Sequence, residues 1–371
     1  TTTTKMAGAM LKHPERKSGL SEYRLLGKSG LRVSPLCLGT MTWGQNWKAF
    51  GIHMDKEEAK KVFNHFIAEG GNFFDTAVNY QNGQSEEWLG EFMEEAGNRE
   101  ELVIATKFSA PVFGVPVNVN HAGNGLKNMM YSIDLSLKRL KTSYIDVLYV
   151  HIWDYTTPIE EVMRGLDTLV RSGKVRYIAV SDTPAWVVSY AQAIADKYGW
   201  TKFIAYQGLY NVGNRDFEAD VIPMSLQMGL GGVPWSVLGA GKYTGRFLRG
   251  QEAGEGQRMV QMSEKDYDIA DELVKISKEL ECTPSQVALN WVLQQRGITS
   301  ALVGISKVRH LKDNIGALES KFRLTKDHME RLAKVVDYKV PFPHSMLGGT
   351  KTSEIYWIKP AGKIVDEYSN L

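Results

Sequence analysis

Four ionisable residues, Asp75, Tyr80, Lys107 and His151, lie at or just after short apolar runs of the sequence. Asp75 and Tyr80 follow the run Asn72–Phe74, Lys107 follows LVIAT, and His151 follows IDVLYV. Taken singly, each has an ordinary structural explanation, because a strand-terminal aspartate often forms a turn or caps a helix and a lysine often extends along the surface. Together they predict one catalytic site if the runs are strands that end at the same edge of a sheet.

The predicted chemistry is proton transfer from Tyr80. A phenol has a pKa of about 10, which is too high for an efficient general acid at neutral pH. A cation about 4 Å away, at an effective dielectric constant of about 20, favours the phenolate by roughly 4 kcal/mol before desolvation. That would lower the pKa of Tyr80 by roughly two or three units. We therefore expect Lys107 to supply the charge and Asp75 to hold its ammonium group.

His151 is then expected to form a hydrogen bond with a substrate oxygen. Such a site would protonate a carbonyl oxygen while hydride reaches the carbonyl carbon, and the hydride has to come from a cofactor because no side chain donates it. A Schiff base on Lys107 is an alternative. It requires a neutral lysine, whereas Asp75 and Tyr80 favour the charged form, so it is the weakest of the interpretations.

The elements that must position these residues alternate regularly along the chain. Helical patterns, among them Met54–Gly70, Asn128–Leu140, Pro158–Ser172 and Thr283–Gln295, separate eight strand-like runs. The runs are Val33–Leu38, Asn72–Phe74, Leu102–Thr106, Ile145–Val150, Tyr177–Val180, Phe203–Tyr206, Gly232–Trp235 and Ala301–Val303. Parallel neighbours need crossovers of this kind, so the pattern predicts an α/β fold, a (β/α)8 TIM barrel, with catalytic side chains at the C-terminal strand ends.

Smaller elements decorate this barrel. Residues 22–33 predict an N-terminal β-hairpin, and Asp55 and Thr283 are predicted helix caps. The long interval between strands seven and eight predicts an insertion near residues 239–265 and an extra helix. Residues 1–20 are predicted to be a flexible tail, and residues 21–371 a single barrel domain that ends in an ordered C-terminal extension.

Composition narrows the class of protein. The 371 residues carry 44 Lys and Arg against 42 Asp and Glu, a formal net charge of +2, so no global field favours nucleic acid or a membrane surface. No apolar run approaches the roughly 18 residues of a membrane span. The eight histidines form no HExxH pattern and Cys37 and Cys282 form no CxxC pattern, so we expect no metal site and a reduced, cytoplasmic protein.

The motifs around the four residues resemble those of the aldo-keto reductases. GNFFDTAVNY, SLKRLKTSYIDVLYVHIWD and LVRSGKVRYIAVSD are similar to three family signatures, and HIWDYTTPIEEVM is most similar to the fungal aryl-alcohol dehydrogenase-like branch. The resemblance covers about residues 22–340. The family's Asp, Tyr, Lys and His tetrad falls on Asp75, Tyr80, Lys107 and His151 without a gap or substitution.

This resemblance implies a reductase of aldehydes and ketones that uses NADPH, with NADH as the alternative, and that also runs in reverse on alcohols. The family binds its cofactor extended across the barrel mouth, and the chain indeed has no GxGxxG after an early strand. VLGAGKYTG lacks two positions of the phosphate-binding P-loop pattern but is compatible with a glycine-rich pyrophosphate loop. The alternative is a cofactor-binding regulatory subunit of the same fold with little turnover.

The resemblance also implies three groups of cofactor contacts. Around the nicotinamide they are Gly39, Thr40, Met41, Asp75, Ser181, Asp182, Gln207 and Trp235, the last expected to stack on the ring. In the pyrophosphate loop they are Ser236, Leu238, Gly241, Lys242 and Arg246. In the adenosine-phosphate segment they are Gly304, Ser306, Lys307, His310 and Asn314.

Two of these positions depart from the family pattern. Asp182 stands where relatives usually have asparagine, so it accepts hydrogen bonds but cannot donate one. Ser306 stands where many relatives place an arginine that clamps the 2′-phosphate with paired hydrogen bonds. Lys307 and Arg309 are close enough in sequence to replace it as point charges. The competing explanation of residues 304–314 is an ordinary helix N-terminus with a solvated basic face.

Aromatic side chains follow several of the predicted strands. Trp43, Phe113 and Trp153 are the predicted substrate contacts, which would suit an aromatic or otherwise bulky carbonyl compound. Trp47 and Tyr155 also lie on these loops, and for them and for Phe113 loop packing is an equally good explanation. The oligomeric state stays open.

Overall fold

The computed structural model describes residues 17–111, 119–249 and 260–347. Eight parallel strands form one sheet in the order β10-β3-β4-β5-β6-β7-β8-β9. Their bounds are Leu36–Gly39 (β3), Phe73–Asp75 (β4), Val103–Phe108 (β5), Ile145–Val150 (β6), Val175–Ser181 (β7), Phe203–Gln207 (β8), Gly231–Gly232 (β9) and Ala301–Gly304 (β10). Two shorter strands, Arg24–Leu25 (β1) and Arg32–Val33 (β2), pair as the predicted antiparallel hairpin.

The first and last strands of this order meet, so the sheet closes into a barrel. Leu302 donates its backbone N–H to the carbonyl of Pro234 at 2.9 Å, and Gly232 donates to Gly297 at 2.8 Å. The hairpin lies across one end, where Lys28 N–H donates to the carbonyl of Gly229 at 2.8 Å. The predicted (β/α)8 architecture is confirmed.

Helices connect successive strands on the outside of the barrel, and further helices follow β10. The connecting helices are Lys56–Ala68 (α1), Gln84–Ala96 (α2), Leu126–Arg139 (α3), Ile159–Arg171 (α4), Ala185–Tyr198 (α5), Val221–Met228 (α6), Glu264–Glu279 (α7) and Pro284–Leu293 (α8). The helices after β10 are Val308–Gly316 (α9), Lys326–Val336 (α10) and His344–Leu347 (α11). In α1 the apolar positions Ala59, Val62, Phe63 and Phe66 are buried against the sheet, as their spacing predicts. Helix α7 is the predicted extra helix.

The two predicted helix caps have different outcomes. Thr283 accepts a hydrogen bond from Gln286 N–H, and the Gln286 side chain accepts one from Thr283 N–H, so a complete capping box starts α8. Asp55 stands at the N-cap position of α1, but its side chain makes no capping bond. It accepts a hydrogen bond from Gln45 Nε2 at 2.9 Å instead and fastens the loop after β3.

The chain ends are described only in part. Leu20 is fully buried, and Ser18 Oγ donates to the Glu69 carbonyl at 2.7 Å. The packed structure therefore begins at least three residues before the predicted boundary at residue 21. Residues 1–16 and 348–371 lie outside the described residues, so the rest of the predicted tail and extension stays a prediction.

Within the described ranges, no helix combines the length and apolar character needed to cross a membrane. The same ranges hold no group of three or more His, Cys, Asp and Glu side chains arranged for a metal ion.

Candidate active site

The C-terminal ends of the parallel strands form the barrel mouth, and the predicted polar residues lie there. Asp75, Ser181 and Gln207 are the last residues of β4, β7 and β8, and Lys107 is the second-to-last residue of β5. Each of these strands runs farther than its apolar sequence run suggests. The backbone ladder holds each polar residue, which limits its movement and directs its side chain by the alternation of the strand.

Lys107 is at the centre of the cluster, with its side chain fully buried. Its ammonium group contacts Asp75 Oδ1 in an ion pair, donates to the Thr76 carbonyl at 2.9 Å, and lies 3.3 Å from the Tyr80 hydroxyl. Asp75 accepts a second hydrogen bond, from Gln207 Nε2 at 2.8 Å, on its other oxygen. All three protons of the ammonium group therefore have an acceptor, and the charge is directed at the phenol oxygen.

Tyr80 stands on a strained loop that is hydrogen-bonded to the loop after β3. Gln81 and Asn82, which follow it, both have left-handed backbones, with φ of 51° and 57°. Such conformations cost free energy in residues other than glycine and persist only where other contacts impose them. The buried Gln81 side chain provides these contacts: it donates to the carbonyls of Met41 and Ile52 at 3.0 and 2.8 Å.

The pKa of Tyr80 moves in the direction opposite to the prediction. Burial raises the pKa above its ordinary value, and Lys107, the largest opposing influence, lowers it by less than that. Asp75 raises it further, since its carboxylate already neutralises the lysine. The predicted lowering counted the charge of Lys107 before desolvation and left out the opposing charge of Asp75, although it expected Asp75 to hold the lysine. Tyr80 is consequently a protonated phenol at neutral pH, with a cation placed to stabilise it when the proton leaves.

The His151 ring stands edge-on to the Tyr80 ring, with a distance of 5.8 Å between the ring centroids. Burial, followed by the charge of Lys107, lowers its pKa to about 3, so the imidazole is neutral at physiological pH. Its Nδ1 atom is buried and has no hydrogen-bond partner among the described residues. A neutral imidazole can donate a hydrogen bond to a carbonyl oxygen but is a poor source of a full proton.

A second set of groups lines the mouth beside the tetrad. The Ser181 hydroxyl is buried and lies beside the Asp182 carboxylate, whose pKa is raised by burial and lowered by Trp235, Lys107 and this hydroxyl. Asp182 is exposed, has a left-handed backbone with φ of 39°, and accepts a hydrogen bond from Trp235 Nε1 at 3.1 Å. Ser181, Asp182, Gln207 and Trp235 are therefore brought together, as the sequence predicts.

The loop after β9 contains most of the predicted pyrophosphate contacts. Its backbone is left-handed at Ser236, Gly239, Ala240 and Gly241, so it turns repeatedly across the mouth. Leu238 is partly buried against the core. Lys242 forms an ion pair with Asp266 at 2.7 Å, a partner that the sequence did not reveal. Its charge is therefore largely neutralised, and its predicted role as a phosphate contact is weakened.

Cations accumulate at the start of α9 instead. Arg246 and Arg309 both donate to His310 Nε2, at 2.8 and 3.3 Å, and His310 Nδ1 lies 3.0 Å from the Ser306 hydroxyl. Burial and the charges of Arg246, Arg309 and Lys307 lower the pKa of His310, which keeps the ring neutral. Across the described ranges no carboxylate pairs with these three cations. Gly304 is exposed beside them at the end of β10.

Several predicted contacts lie away from the mouth. Trp43 is fully buried among Phe63, Phe74 and Phe92, with centroids 5.7–6.5 Å apart, so the prediction that it contacts substrate is wrong. Thr40 is also fully buried, and its hydroxyl is bonded to Ser85 and to the Asp75 carbonyl. It supports the wall and does not face a cofactor.

The remaining predicted contacts have mixed outcomes. Gly39 is buried, and Met41 is partly buried, with its carbonyl bonded to Gln81. Asn314 is 3% exposed on α9, so contact with an adenine stays a prediction. Trp153 packs between α4 and α5 beside a small apolar cavity, and its contact with substrate also stays a prediction. Phe113 lies outside the described residues.

Trp47 occupies the place expected for Trp43. Its ring stands edge-on to Tyr80 at 6.2 Å. Gln81 Oε1 accepts a hydrogen bond from its backbone N–H at 2.8 Å, and Asn82 Oδ1 accepts one from its indole N–H at 3.1 Å. Sequence reasoning left its role open and did not find Gln81 or Asn82 at all. The signal available in the sequence was the polar pair Gln81 and Asn82, which directly follows Tyr80 and precedes a glycine.

Comparison with known proteins identifies the family of this chain. A family model described as the Aldo/keto reductase family matches residues 35–337. Norsolorinic acid reductase B of Aspergillus parasiticus is 40% identical over 364 residues, which cover 92% of this chain and 94% of the relative. The aryl-alcohol dehydrogenase [NADP(+)] of Phanerodontia chrysosporium is 41% identical, with 90% and 91% covered, and a putative aryl-alcohol dehydrogenase of Saccharomyces cerevisiae is 41% identical, with 90% and 92% covered. With a closed barrel, a tetrad gathered at its mouth and a match over most of its length, this chain is an oxidoreductase that belongs to the aldo/keto reductase family.

Proposed function

We propose that the protein reduces aldehydes and ketones to alcohols, reversibly, with NADPH as the reductant and Tyr80 as the proton donor. The observation that carries this proposal is the position of Lys107, whose ammonium group is held by Asp75 and lies 3.3 Å from the Tyr80 hydroxyl. When bound, the cofactor supplies a hydride for the carbonyl carbon. All other parts of the reaction fall to side chains of the mouth.

Some of these side chains transfer the proton, and others orient the substrate. Tyr80 gives its proton to the carbonyl oxygen, and Lys107 stabilises the phenolate that this leaves. Asp75 keeps Lys107 in place and is itself positioned by Gln207. His151, which is neutral, donates a hydrogen bond to the same carbonyl oxygen and so orients the substrate. In the reverse direction, the Tyr80 phenolate takes the proton of the alcohol.

The mouth fits a nicotinamide cofactor on two observations. The hydroxyl of Ser181 is buried at the mouth beside the Asp182 carboxylate, and its oxygen can accept a hydrogen bond from the carboxamide of the nicotinamide. Arg246, Lys307 and Arg309 form a cationic cluster with no carboxylate partner within the described ranges, which suits the 2′-phosphate that distinguishes NADPH from NADH. The name of the Phanerodontia relative, which specifies NADP(+), also supports NADPH.

We propose aromatic or otherwise bulky carbonyl compounds as substrates. The rings of Trp47 and His151 both stand edge-on to Tyr80, at 6.2 and 5.8 Å, and flat apolar groups pack well against such a cluster of rings. Two of the relatives are named aryl-alcohol dehydrogenases, which supports the same class. We propose the cytoplasm as the site of action, since Cys37 and Cys282 are both free thiols.

The test is consumption of NADPH with a panel of aromatic and aliphatic aldehydes, for wild type and for Tyr80→Phe. We expect wild type to turn over the aromatic members, and Tyr80→Phe to lose turnover by orders of magnitude while it still binds NADPH. If wild type binds NADPH but reduces no member of the panel, the regulatory-subunit alternative replaces this proposal. If Tyr80→Phe is as active as wild type, the assignment of the proton donor is refuted.

A further inference from the structure

The charges of the side chains next to Tyr80 do not sum to zero once Asp182 is included. Lys107 and Asp75 form a closely paired cation and anion, and His151 and Tyr80 are neutral at physiological pH. Asp182 adds a second carboxylate to this group. It is close enough to Tyr80 to raise the pKa of the phenol. Burial raises the pKa of Asp182 itself, and the hydrogen bond from Trp235 and the charge of Lys107 oppose that rise. The groups that surround the proton donor therefore carry one net negative charge.

The position of Asp182 is held by two elements of the mouth. Its backbone N–H donates to the carbonyl of Gln207 at 3.1 Å, and its Oδ1 atom accepts the indole N–H of Trp235 at 3.1 Å. The left-handed backbone at Asp182 turns the chain away from β7 directly after Ser181. Its carboxylate is thus fixed at the rim of the mouth, next to Ser181, and is not a freely rotating surface group.

The proposed reaction requires a nicotinamide ring near this carboxylate. A carbonyl group that receives its proton from Tyr80 has its carbon within bonding reach of the hydride donor, so the nicotinamide ring has to lie within a few ångströms of Tyr80. Asp182 belongs to the same site, because its backbone N–H donates to the carbonyl of Gln207, whose side chain in turn donates to Asp75. The oxidised nicotinamide ring carries a positive charge and the reduced ring does not, so a fixed carboxylate at this distance interacts differently with the two forms.

We propose that Asp182 selectively stabilises the oxidised form of the cofactor, so that the protein binds NADP+ more tightly relative to NADPH than it would with an uncharged residue at this position. The inference rests on the proposed function and adds a residue that determines specificity for the oxidation state of the cofactor. In the balanced reaction, carbonyl compound, NADPH and a proton give alcohol and NADP+. Stabilising bound NADP+ therefore shifts the equilibrium on the protein towards alcohol and slows release of NADP+.

Asp182→Asn is a suitable test because it changes little besides the charge. The asparagine oxygen can still accept the indole N–H of Trp235, and asparagine tolerates a left-handed backbone better than most residues. The matched control is Asp134→Asn on α3. Asp134 is an exposed carboxylate that pairs with Lys174 at 2.7 Å, next to the N-terminal end of β7, whereas Asp182 follows the C-terminal end of the same strand.

The measurement is isothermal titration of wild type and both variants with NADP+ and, separately, with NADPH, without carbonyl substrate. We expect Asp182→Asn to weaken NADP+ binding by roughly tenfold relative to NADPH binding, from the Coulomb energy of one partly solvated charge. Asp134→Asn should leave the ratio of the two dissociation constants unchanged. The difference between wild type and Asp182→Asn should shrink as salt is added, because the carboxylate is exposed.

The outcomes separate the inference from the function on which it rests. Equal changes in both dissociation constants, or no change in either, would overturn the role of Asp182 while leaving the reductase proposal intact. The same change in Asp134→Asn would show that the effect depends on overall charge and would also overturn it. If wild type binds neither form of the cofactor, the proposed function itself is wrong, and the inference fails with it.

Discussion

Replacing Lys107 with methionine removes the cation from the centre of the site while keeping an unbranched side chain in the barrel. The substitution has two separable consequences, because the ammonium group contacts both Asp75 and Tyr80. The contact with Asp75 contributes to the stability of the fold. The contact with Tyr80 contributes to the proposed proton transfer. A second variant, in which Asp75→Asn accompanies Lys107→Met, distinguishes the two.

The expected cost in stability comes from the carboxylate that is left behind. Asp75 is 1% exposed, and without Lys107 it keeps only the hydrogen bond from Gln207 on its side chain. Removing one member of a buried ion pair typically costs about 3–5 kcal/mol of unfolding free energy. The double variant has no buried charge and should recover most of this loss. Urea denaturation measures the difference, and Lys141→Met, which breaks an exposed pair with Glu94, should change stability little.

The expected effect on turnover comes from the phenolate. At 3.3 Å and an effective dielectric constant of about 20, the ammonium group stabilises a phenolate by roughly 5 kcal/mol. The Asp75 carboxylate next to the ammonium group opposes part of this, so we take about half, roughly 2.5 kcal/mol, as the contribution of the two charges together. Removing both charges should lower kcat by roughly seventyfold, and Lys107→Met alone, which leaves the carboxylate near the phenolate, should lower it further. Single-turnover oxidation of NADPH with a saturating aldehyde measures it.

The double variant decides between the two roles. We expect it to be as stable as Lys141→Met and faster than Lys107→Met, because removing the Asp75 carboxylate also removes its repulsion of the phenolate. It should still be slower than wild type by roughly seventyfold, because the ammonium group is missing. If turnover returns to the wild-type level together with stability, Lys107 acts through the fold alone and the electrostatic reasoning is refuted. Turnover of Lys107→Met within a few-fold of wild type would refute it equally.

Three further outcomes test other parts of the structure. Trp43→Ala should lower the unfolding free energy by about 3–5 kcal/mol, because the ring is fully buried; urea denaturation that shows a small loss would contradict its place in the core. The low pKa of His151, about 3, means that the unfolded chain binds more protons than the folded one as pH falls below about 6.5. Stability contributed by His151 is present above that pH and is lost as pH falls towards 3, so His151→Gln should lose less stability between pH 7 and 5 than wild type does. Replacing Arg246, Lys307 and Arg309 singly with serine should weaken binding of NADPH by roughly tenfold or more each while NADH binding barely changes; equal weakening of both would exclude a contact with the 2′-phosphate.

Much of the fold was predictable because its signals are local. A helix shows its 3.6-residue period and a buried strand its short apolar run within the segment itself, and β6 has the predicted bounds of Ile145–Val150. The alternation of these segments requires parallel strands, whose C-terminal ends share one face. The convergence of Asp75, Lys107 and His151 follows from that alone, without any knowledge of packing.

Other features depend on distances through space. Trp43 and Trp47 are four residues apart on one loop and equally apolar, yet one is buried in the core and the other stands beside Tyr80. Arg246 and His310 are 64 residues apart in sequence and 2.8 Å apart in the structure. Lys242 carries the same charge as Arg246 in the sequence, but an ion pair with Asp266 neutralises it.

The sequence by itself thus determined the alternating barrel and which ionisable residues stand at its mouth, because periodicity and strand order are properties of neighbouring residues. Only the tertiary structure decided that the pKa of Tyr80 is raised and not lowered, since that sign depends on burial of the ring and on Asp75 reaching Lys107 as well. It also decided which aromatic faces the site and which cations are left without a carboxylate. Desolvation and ion pairing act between groups that are distant in sequence, so neither can be read from the order of the residues.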